Sequence, residues 1–206
     1  MQMNPTTATC RKSEETFEVQ INVTNALRVQ GFNFEIHYNA SLINYVSVTW
    51  GNLGTGTITI VDNQNGVLAG NVAGPTLSQN LWLLNITFKV NQTMIWHAGA
   101  PNRLDGEIWF HDVILYFSGG SQLQREEGGI NQIDTQTASY SFMPIQGDVD
   151  NNGTVNVFDL RTVATYYDVA SIDPEWTVAS KFDLNGDLTI DIYDLVVVGA
   201  NFGFAY

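Results

Sequence analysis

Asp148-Val-Asp-Asn-Asn-Gly-Thr-Val-Asn-Val-Phe-Asp-Leu160 returns 35 residues later as Asp183-Leu-Asn-Gly-Asp-Leu-Thr-Ile-Asp-Ile-Tyr-Asp-Leu195. Oxygen-bearing side chains recur at positions 1, 3, 5, 9 and 12 of each loop: Asp148, Asp150, Asn152, Asn156 and Asp159, then Asp183, Asn185, Asp187, Asp191 and Asp194. A hard divalent cation such as calcium takes about six to eight oxygens, and a 12-residue loop wraps these positions around it. Position 7, Thr154 or Thr189, supplies a backbone carbonyl, and position 9 often acts through water. Asp and Asn also favour turns and helix caps, but that preference does not produce two copies in matched spacing. The expectation is two Ca2+ ions. Each loop runs into a short apolar-faced helix, about Val157–Tyr167 and about Ile192–Asn201, with Gly203 as a stop signal. Between them, Asp173-Pro-Glu-Trp-Thr predicts a helix start with Asp173 as N-cap and Pro174 in the first helical position.

Charge supports this reading. The 206-residue chain has 21 acidic and 8 basic residues, a net −13. Residues 147–206 carry −8 of it and residues 1–146 only −5. That many carboxylates in a small domain repel one another unless cations compensate them. The same balance argues against nucleic acid and against an anionic membrane surface. No apolar run is long enough to span a bilayer. One cysteine excludes an intrachain disulfide and a cysteine-based zinc cluster. The opening Met-Gln-Met lacks a secretory signal; it reads as a mature start behind an added methionine, and a cytosolic start reads the same way.

The composition shift falls at Phe142-Met-Pro-Ile-Gln-Gly147. The reading is therefore a domain over 1–142, a linker over 143–147 and a second domain over 148–206. Upstream, apolar residues alternate: Phe17, Val19, Ile21, Val23; then Phe32, Phe34, Ile36, Tyr38; then Trp82, Leu84, Ile86, Phe88, Val90. Period two over such lengths predicts strands with one buried face. Shorter strands are expected at Val46–Trp50, Thr57–Val61, Val67–Val72, Ile108–Phe117 and Ile133–Phe142, with a hairpin at Asp62-Asn-Gln-Asn-Gly66. Eight or more strands with Gly/Asn turns imply a mainly β jelly-roll sandwich followed by a small all-α domain.

Glu15–Val23, Val29–Asn39, Leu42–Val46 and Leu84–Val90 make the first domain resemble the cohesin-like sandwich modules, over most of residues 8–142. Residues 147–206, loop–helix, linker helix, loop–helix, resemble a dockerin. The resemblance implies a noncatalytic plug that binds a cohesin through helix surfaces beside its calcium loops. It places the partner contacts at loop positions 10 and 11, here Val157-Phe158 and Ile192-Tyr193. These apolar pairs look like the type II-like class rather than the class with Ser/Thr pairs. Asp at position 12 in both loops agrees with dockerins and departs from the Glu of ordinary EF-hands. Position 6 is Gly153 in the first loop but Leu188 in the second, which predicts a strained, weaker second site.

The remaining candidates are weaker. Asn22, Asn39, Asn85 and Asn91 open glycosylation sequons, as does Asn152 inside the first loop, and they suggest a glycosylated surface protein. His37, His97 and His111 show no metal spacing, Cys10 falls in a polar, mobile N-terminus, and most tryptophans read as buried. No nucleophile elbow, phosphate loop or acid–base carboxylate pair is present, so no catalytic residue is expected and the chain reads as no enzyme. Two functions stay open. One is a secreted or cell-surface, calcium-dependent assembly protein whose plug docks on a cohesin-like sandwich. A linker that spans at most about 18 Å, beside a domain with a radius of gyration of about 14 Å, favours a neighbour's sandwich and head-to-tail assembly. The other is a carbohydrate-binding or stabilising sandwich, with polysaccharide as its partner, anchored by the dockerin to a separate scaffold protein.

Overall fold

The computed structural model describes residues 1–91, 94–129 and 132–206. The chain forms two compact units, one of Met1–Ala8, Thr16–Asn91 and Asp105–Ser141, the other of Thr9–Glu15, Gln92–Leu104 and Phe142–Tyr206.

The first unit is the sandwich. Its strands are β1 (Gln2–Asn4), β2 (Thr7–Cys10), β3 (Thr16–Tyr38), β4 (Ile43–Trp50), β5 (Thr57–Asp62), β6 (Val67–Val90), β7 (Leu104–Phe117), β8 (Gln122–Glu126) and β9 (Ala138–Phe142). They run in the order β2-β9-β7-β3-β6-β4, with β1 on β3, β5 on β6 and β8 on β7. The alternating runs from Phe17 to Val23 and from Phe32 to Tyr38 are halves of one strand, β3. Val67–Val72 and the run from Trp82 to Val90 are likewise halves of β6.

Irregularity joins the halves. The β3–β6 register shifts four times between Ile21 and Gly31. Across that stretch the buried set of β3 changes phase, from Val19, Ile21 and Val23 to Phe32, Phe34, Ile36 and Tyr38. A side-chain period of two means that each one-residue slip turns the inward face outward. One bulged strand can thus serve two layers. Its first half pairs with the end of β6 and its second half with the start of β6 and with β7.

The core is aromatic at its centre. Phe88, fully buried, packs its ring 5.8 Å from Phe17 and 5.1 Å from Tyr38. The hairpin lies where its sequence puts it: Asp62 pairs with Val67, the Gly66 amide donates to the Asp62 carbonyl, and Gly66 takes φ +72°. Cys10 is not in a mobile tail. It ends β2 almost wholly buried, and burial pushes its thiol up to about 12. None of the five tryptophans is fully buried; all are half-buried.

The second unit holds α1 (Val157–Ala164), α2 (Trp176–Ala179) and α3 (Ile192–Ala200). Helix α2 is a single turn continued by a 3₁₀ turn at Ser180–Phe182. Asp173 does not cap it: its carboxylate accepts the Ala170 amide, and the residue at the cap is Glu175, without a side-chain bond. The core of this unit repeats like its loops, with Val149 and Leu184, Val155 and Ile190, Val163 and Val198 buried at the same 35-residue offset.

Phe88→Ala removes a large side chain from the centre of a close-packed core. It is expected to cost the sandwich about 3–5 kcal/mol, measured from the shift of its urea transition.

Candidate metal centre

Each loop is built around its first and last carboxylates. In the first, Asp148 Oδ2 accepts the Gly153 amide at 2.8 Å and Oδ1 the Asn152 amide at 3.1 Å. Asp159 Oδ1 accepts Val149 at 2.9 Å, and Oδ2 accepts Asn156 at 2.9 Å. In the second, Asp183 Oδ2 accepts Leu188 at 2.9 Å and Oδ1 accepts Asp187 at 3.2 Å. Asp194 accepts Leu184 at 2.7 Å and Asp191 at 2.8 Å. The hydrogen bonds correspond atom for atom at the 35-residue offset. Carboxylate oxygens of Asp148, Asp150 and Asp159 lie within 4.8 Å of one another.

The other expected ligand positions line the same turns. Asn152 Oδ1 accepts the Thr154 amide at 2.9 Å, and Asp187 Oδ1 accepts that of Thr189 at 3.0 Å. Asn185 Oδ1 accepts the Asp187 amide at 3.0 Å, as Asp150 Oδ1 accepts Asn152. Asn156 and Asp191 close capping boxes with Asp159 and Asp194, so position 9 starts each helix and position 12 returns to its cap.

The repeat runs further than the sequence motif. Beyond each loop a short extended piece, 153–155 or 188–190, is clasped by a segment following the other half's helix. Gly203 donates to Val155, Phe204 accepts from Val155, and Tyr206 donates to Gly153. In the other half Asp168 donates to Ile190, Val169 accepts from Ile190, and Ser171 donates to Leu188. Asp168 and Gly203 hold the same left-handed turn, φ +70° and +86°.

Two further stretches brace the loops. Ser13 donates its amide to the Asn151 carbonyl at 3.0 Å, and Asn151 Oδ1 accepts the Met94 amide at 3.2 Å. His97 Nδ1 lies 2.8 Å from the Asp183 carbonyl, and the Ala98 amide donates to Leu184 at 2.8 Å. His97 is thus a brace on the second loop. No local pattern in the sequence marks a bond across 86 residues.

Both loops need left-handed backbone at positions 4 and 6. The first uses Asn151 (φ +59°) and Gly153 (φ +88°), the second Gly186 (φ +80°) and Leu188 (φ +72°). Asn tolerates that conformation through its short polar side chain; Leu has no such relief. Strain is therefore concentrated at Leu188.

Burial dominates the electrostatics. It is the main cause that lifts Asp148 from 3.8 to about 6, with the neighbouring Asp159 and Asp150 charges adding to it and the Gly153 amide opposing it. Asp194 is also raised, first by burial, against the pull of three backbone amides. Carboxylates crowded into one turn, the first and last of them buried, call for a cation, and an all-oxygen donor set suits a hard one.

The four residues at positions 10 and 11 stand outward: Val157 is 57% exposed, Phe158 62%, Ile192 53% and Tyr193 63%. Neither Phe158 nor Tyr193 packs inward. Beside Ile192, the side chains of Leu160, Leu195 and Val196 line a shallow apolar groove of about 430 Å³.

The family model for the cohesin domain matches residues 1–95, and that for the dockerin type I domain matches residues 146–202. The chain carries a cohesin domain followed by a type I dockerin domain, the calcium-binding kind. The match is to the type I model, whereas the apolar pairs had suggested the type II-like class. Both are structural assembly domains rather than enzymatic ones.

Among solved structures the sandwich is similar to the third cohesin of ScaC from Acetivibrio cellulolyticus, described in complex with the ScaB dockerin. Identity is 17%, coverage 69% of this chain and 98% of that one, and the TM-score 0.52. A type I cohesin–dockerin complex from Clostridium thermocellum containing the OlpC cohesin matches at 11% identity, 70% and 92% coverage and TM-score 0.54. These likenesses are of fold. No curated protein matches the chain significantly. Among the described residues no helix is long and apolar enough to cross a membrane.

Leu188→Gly is expected to relieve about 1 kcal/mol of backbone strain and to tighten calcium binding at the second loop several-fold, leaving the first unchanged, as read by calorimetric titration. A second measurement follows from Asp148. Its folded pKa lies above the unfolded one, so its stabilising contribution is full below about pH 4 and is lost as pH rises through about 6. Metal-free protein should therefore lose stability of the C-terminal unit over that window. Calcium loading near pH 6 should release protons, seen as a dependence of binding heat on buffer ionisation enthalpy.

Proposed function

We propose that the chain is an extracellular, calcium-dependent assembly protein in which each dockerin loop holds one Ca2+. Asp148, Asp150, Asn152, Asn156 and Asp159, with the Thr154 carbonyl, hold the first ion. Asp183, Asn185, Asp187, Asp191 and Asp194, with the Thr189 carbonyl, hold the second. The observation that carries this is the duplication of oxygen-lined turns whose buried first and last aspartates accept equivalent backbone amides at the 35-residue offset. The ions neutralise carboxylates that otherwise repel, and so fix the direction in which each helix leaves its loop.

Val157-Phe158 and Ile192-Tyr193 then form the docking surface for a cohesin-like sandwich. An exposed aromatic beside an aliphatic on each helix start supplies the apolar anchors on which interfaces concentrate their binding energy. Because socket and plug lie in one chain, docking on a neighbouring copy is heterologous and propagates head to tail. Asn22, Asn39, Asn85 and Asn91 remain candidate glycosylation positions. Asn39 is exposed, whereas Asn22, Asn85 and Asn91 donate their amide nitrogens to Gln20, Glu18 and the Ala40 carbonyl.

Size-exclusion chromatography with light scattering tests the assembly. Calcium is expected to raise the mass with protein concentration and chelator to return it to that of one chain. The pair Phe158→Asp and Tyr193→Asp is expected to abolish the growth while leaving calcium binding in place. A concentration-independent single-chain mass in calcium overturns self-assembly and directs the plug to a cohesin on another protein.

A further inference from the structure

Two histidines with no spacing in sequence meet on the outer face of the sandwich. Glu35 and His37 alternate on β3, opposite in facing to the buried Phe34, Ile36 and Tyr38. On the neighbouring strand β7 the buried residues are Ile108 and Phe110, then Val113 and Leu115. The phase slips by one between Phe110 and Val113. The register records the same slip, pairing Glu35 with Asp112 but Ile36 with Phe110. His111 is the extra residue of a β-bulge, and bulges re-aim side chains. Both His111 and Asp112 consequently lie on the outer face with Glu35 and His37.

The result is a converging donor set. Glu35 Oε1 lies 2.7 Å from His37 Nε2 and 3.4 Å from His111 Nδ1, and Asp112 Oδ2 lies 3.3 Å from His111 Nδ1. One donor atom from each of Glu35, His37 and His111 fits within 4.8 Å of the others. Donors around a tetrahedral zinc ion with 2.0–2.1 Å bonds stand about 3.3 Å apart. The two imidazoles stack with centroids 4.4 Å apart and planes 11° from parallel, which fixes both rings.

The far side of His111 is also provided for. Glu127 Oε2 sits 4.0 Å from His111 Nε2, held there by the Trp109 indole N–H at 3.0 Å, and the Glu127 amide donates to the His111 carbonyl at 3.0 Å. A carboxylate behind a ligating histidine is the usual outer-shell arrangement at zinc. Meanwhile His111 Nδ1 and Asp112 Oδ1 are buried without a hydrogen-bond partner among the described residues. Three carboxylates face this pair of rings. Arg125 on β8 gives its guanidinium to the Phe110 and His111 carbonyls instead.

We infer that Glu35, His37 and His111 form a binding site for a divalent transition metal, with Asp112 as a further oxygen donor and Glu127 orienting His111. Two imidazole nitrogens and carboxylate oxygen select a borderline ion such as zinc, copper or nickel over calcium. The site is thus chemically distinct from the loops of the C-terminal unit, and it stands whether or not those loops hold calcium.

The test is calorimetric titration of Zn2+ into the whole chain with calcium in excess. One saturable zinc site per chain is expected. His37→Gln and His111→Gln should each remove it, and Glu127→Gln should weaken it about tenfold, with unchanged far-ultraviolet circular dichroism. Absence of a saturable heat, or zinc binding unaltered in the double histidine variant, overturns the inference. Cobalt(II) added to the unaltered chain decides the matter independently of whether the variants fold. Intense visible bands of a four-coordinate cobalt ion are expected, lost in the double histidine variant, and the weak spectrum of the six-coordinate hydrated ion contradicts the site.

Discussion

Everything in the C-terminal unit follows from one constraint, the complete burial of the carboxylates at position 12. Asp159 and Asp194 have no exposed surface. A buried carboxylate is tolerable only if its lone pairs are satisfied. Each meets this by accepting amides from the start of its loop, Val149 and Asp150 or Leu184 and Asn185, and from its helix cap, Asn156 or Asp191. One side chain therefore closes the loop and caps the helix at once. With position 9 capping and position 12 turned inward, positions 10 and 11 have only the solvent side of the first turn left. The exposure of Val157-Phe158 and Ile192-Tyr193 is thus a geometric consequence of the buried aspartates, not an independent accident of sequence.

The same constraint explains why the duplication is deeper in structure than in sequence. The loops must be held from outside as well as from within, because their left-handed positions weaken regular pairing. Residues 168–171 and 203–206 supply equivalent clasps although Asp-Val-Ala-Ser and Gly-Phe-Ala-Tyr share little chemistry. The bonds are backbone to backbone, so side-chain identity is free to diverge once the turn at Asp168 or Gly203 is made. Buried pairs such as Val155 and Ile190 keep their size because the core sees them directly.

Legibility in the sequence follows which interactions are local. The loops were readable because the amides that their carboxylates accept all lie within twelve residues. The strands were readable as alternation, yet β3 and β6 appeared as four pieces because their bulged centres break the period that identifies a strand. That Thr9–Glu15 and Gln92–Leu104 join the C-terminal unit had no signal. Their contacts, such as His97 with the Asp183 carbonyl, are single hydrogen bonds over long separations. Asp173 shows the opposite failure. It satisfies the local rule for a cap, but the Ala170 amide competes for the same carboxylate and holds it.

The slip on β7 is a case between these. Ile108, Phe110, then His111-Asp112, then Val113 and Leu115 already shows two adjacent polar residues where strict alternation demands one. A single strand can thus declare its own bulge. What it cannot declare is the neighbour it will face, because pairing with β3 brings in Glu35 and His37 from more than 70 residues away. A bulge costs ladder pairing and local regularity, and a sequence that keeps one tends to do so where a side chain must be aimed rather than buried. Here the aimed side chain is an imidazole. It is set against a second ring and a carboxylate that the regular partner strand presents on the same face, and the ligand atoms of all three fit one small sphere.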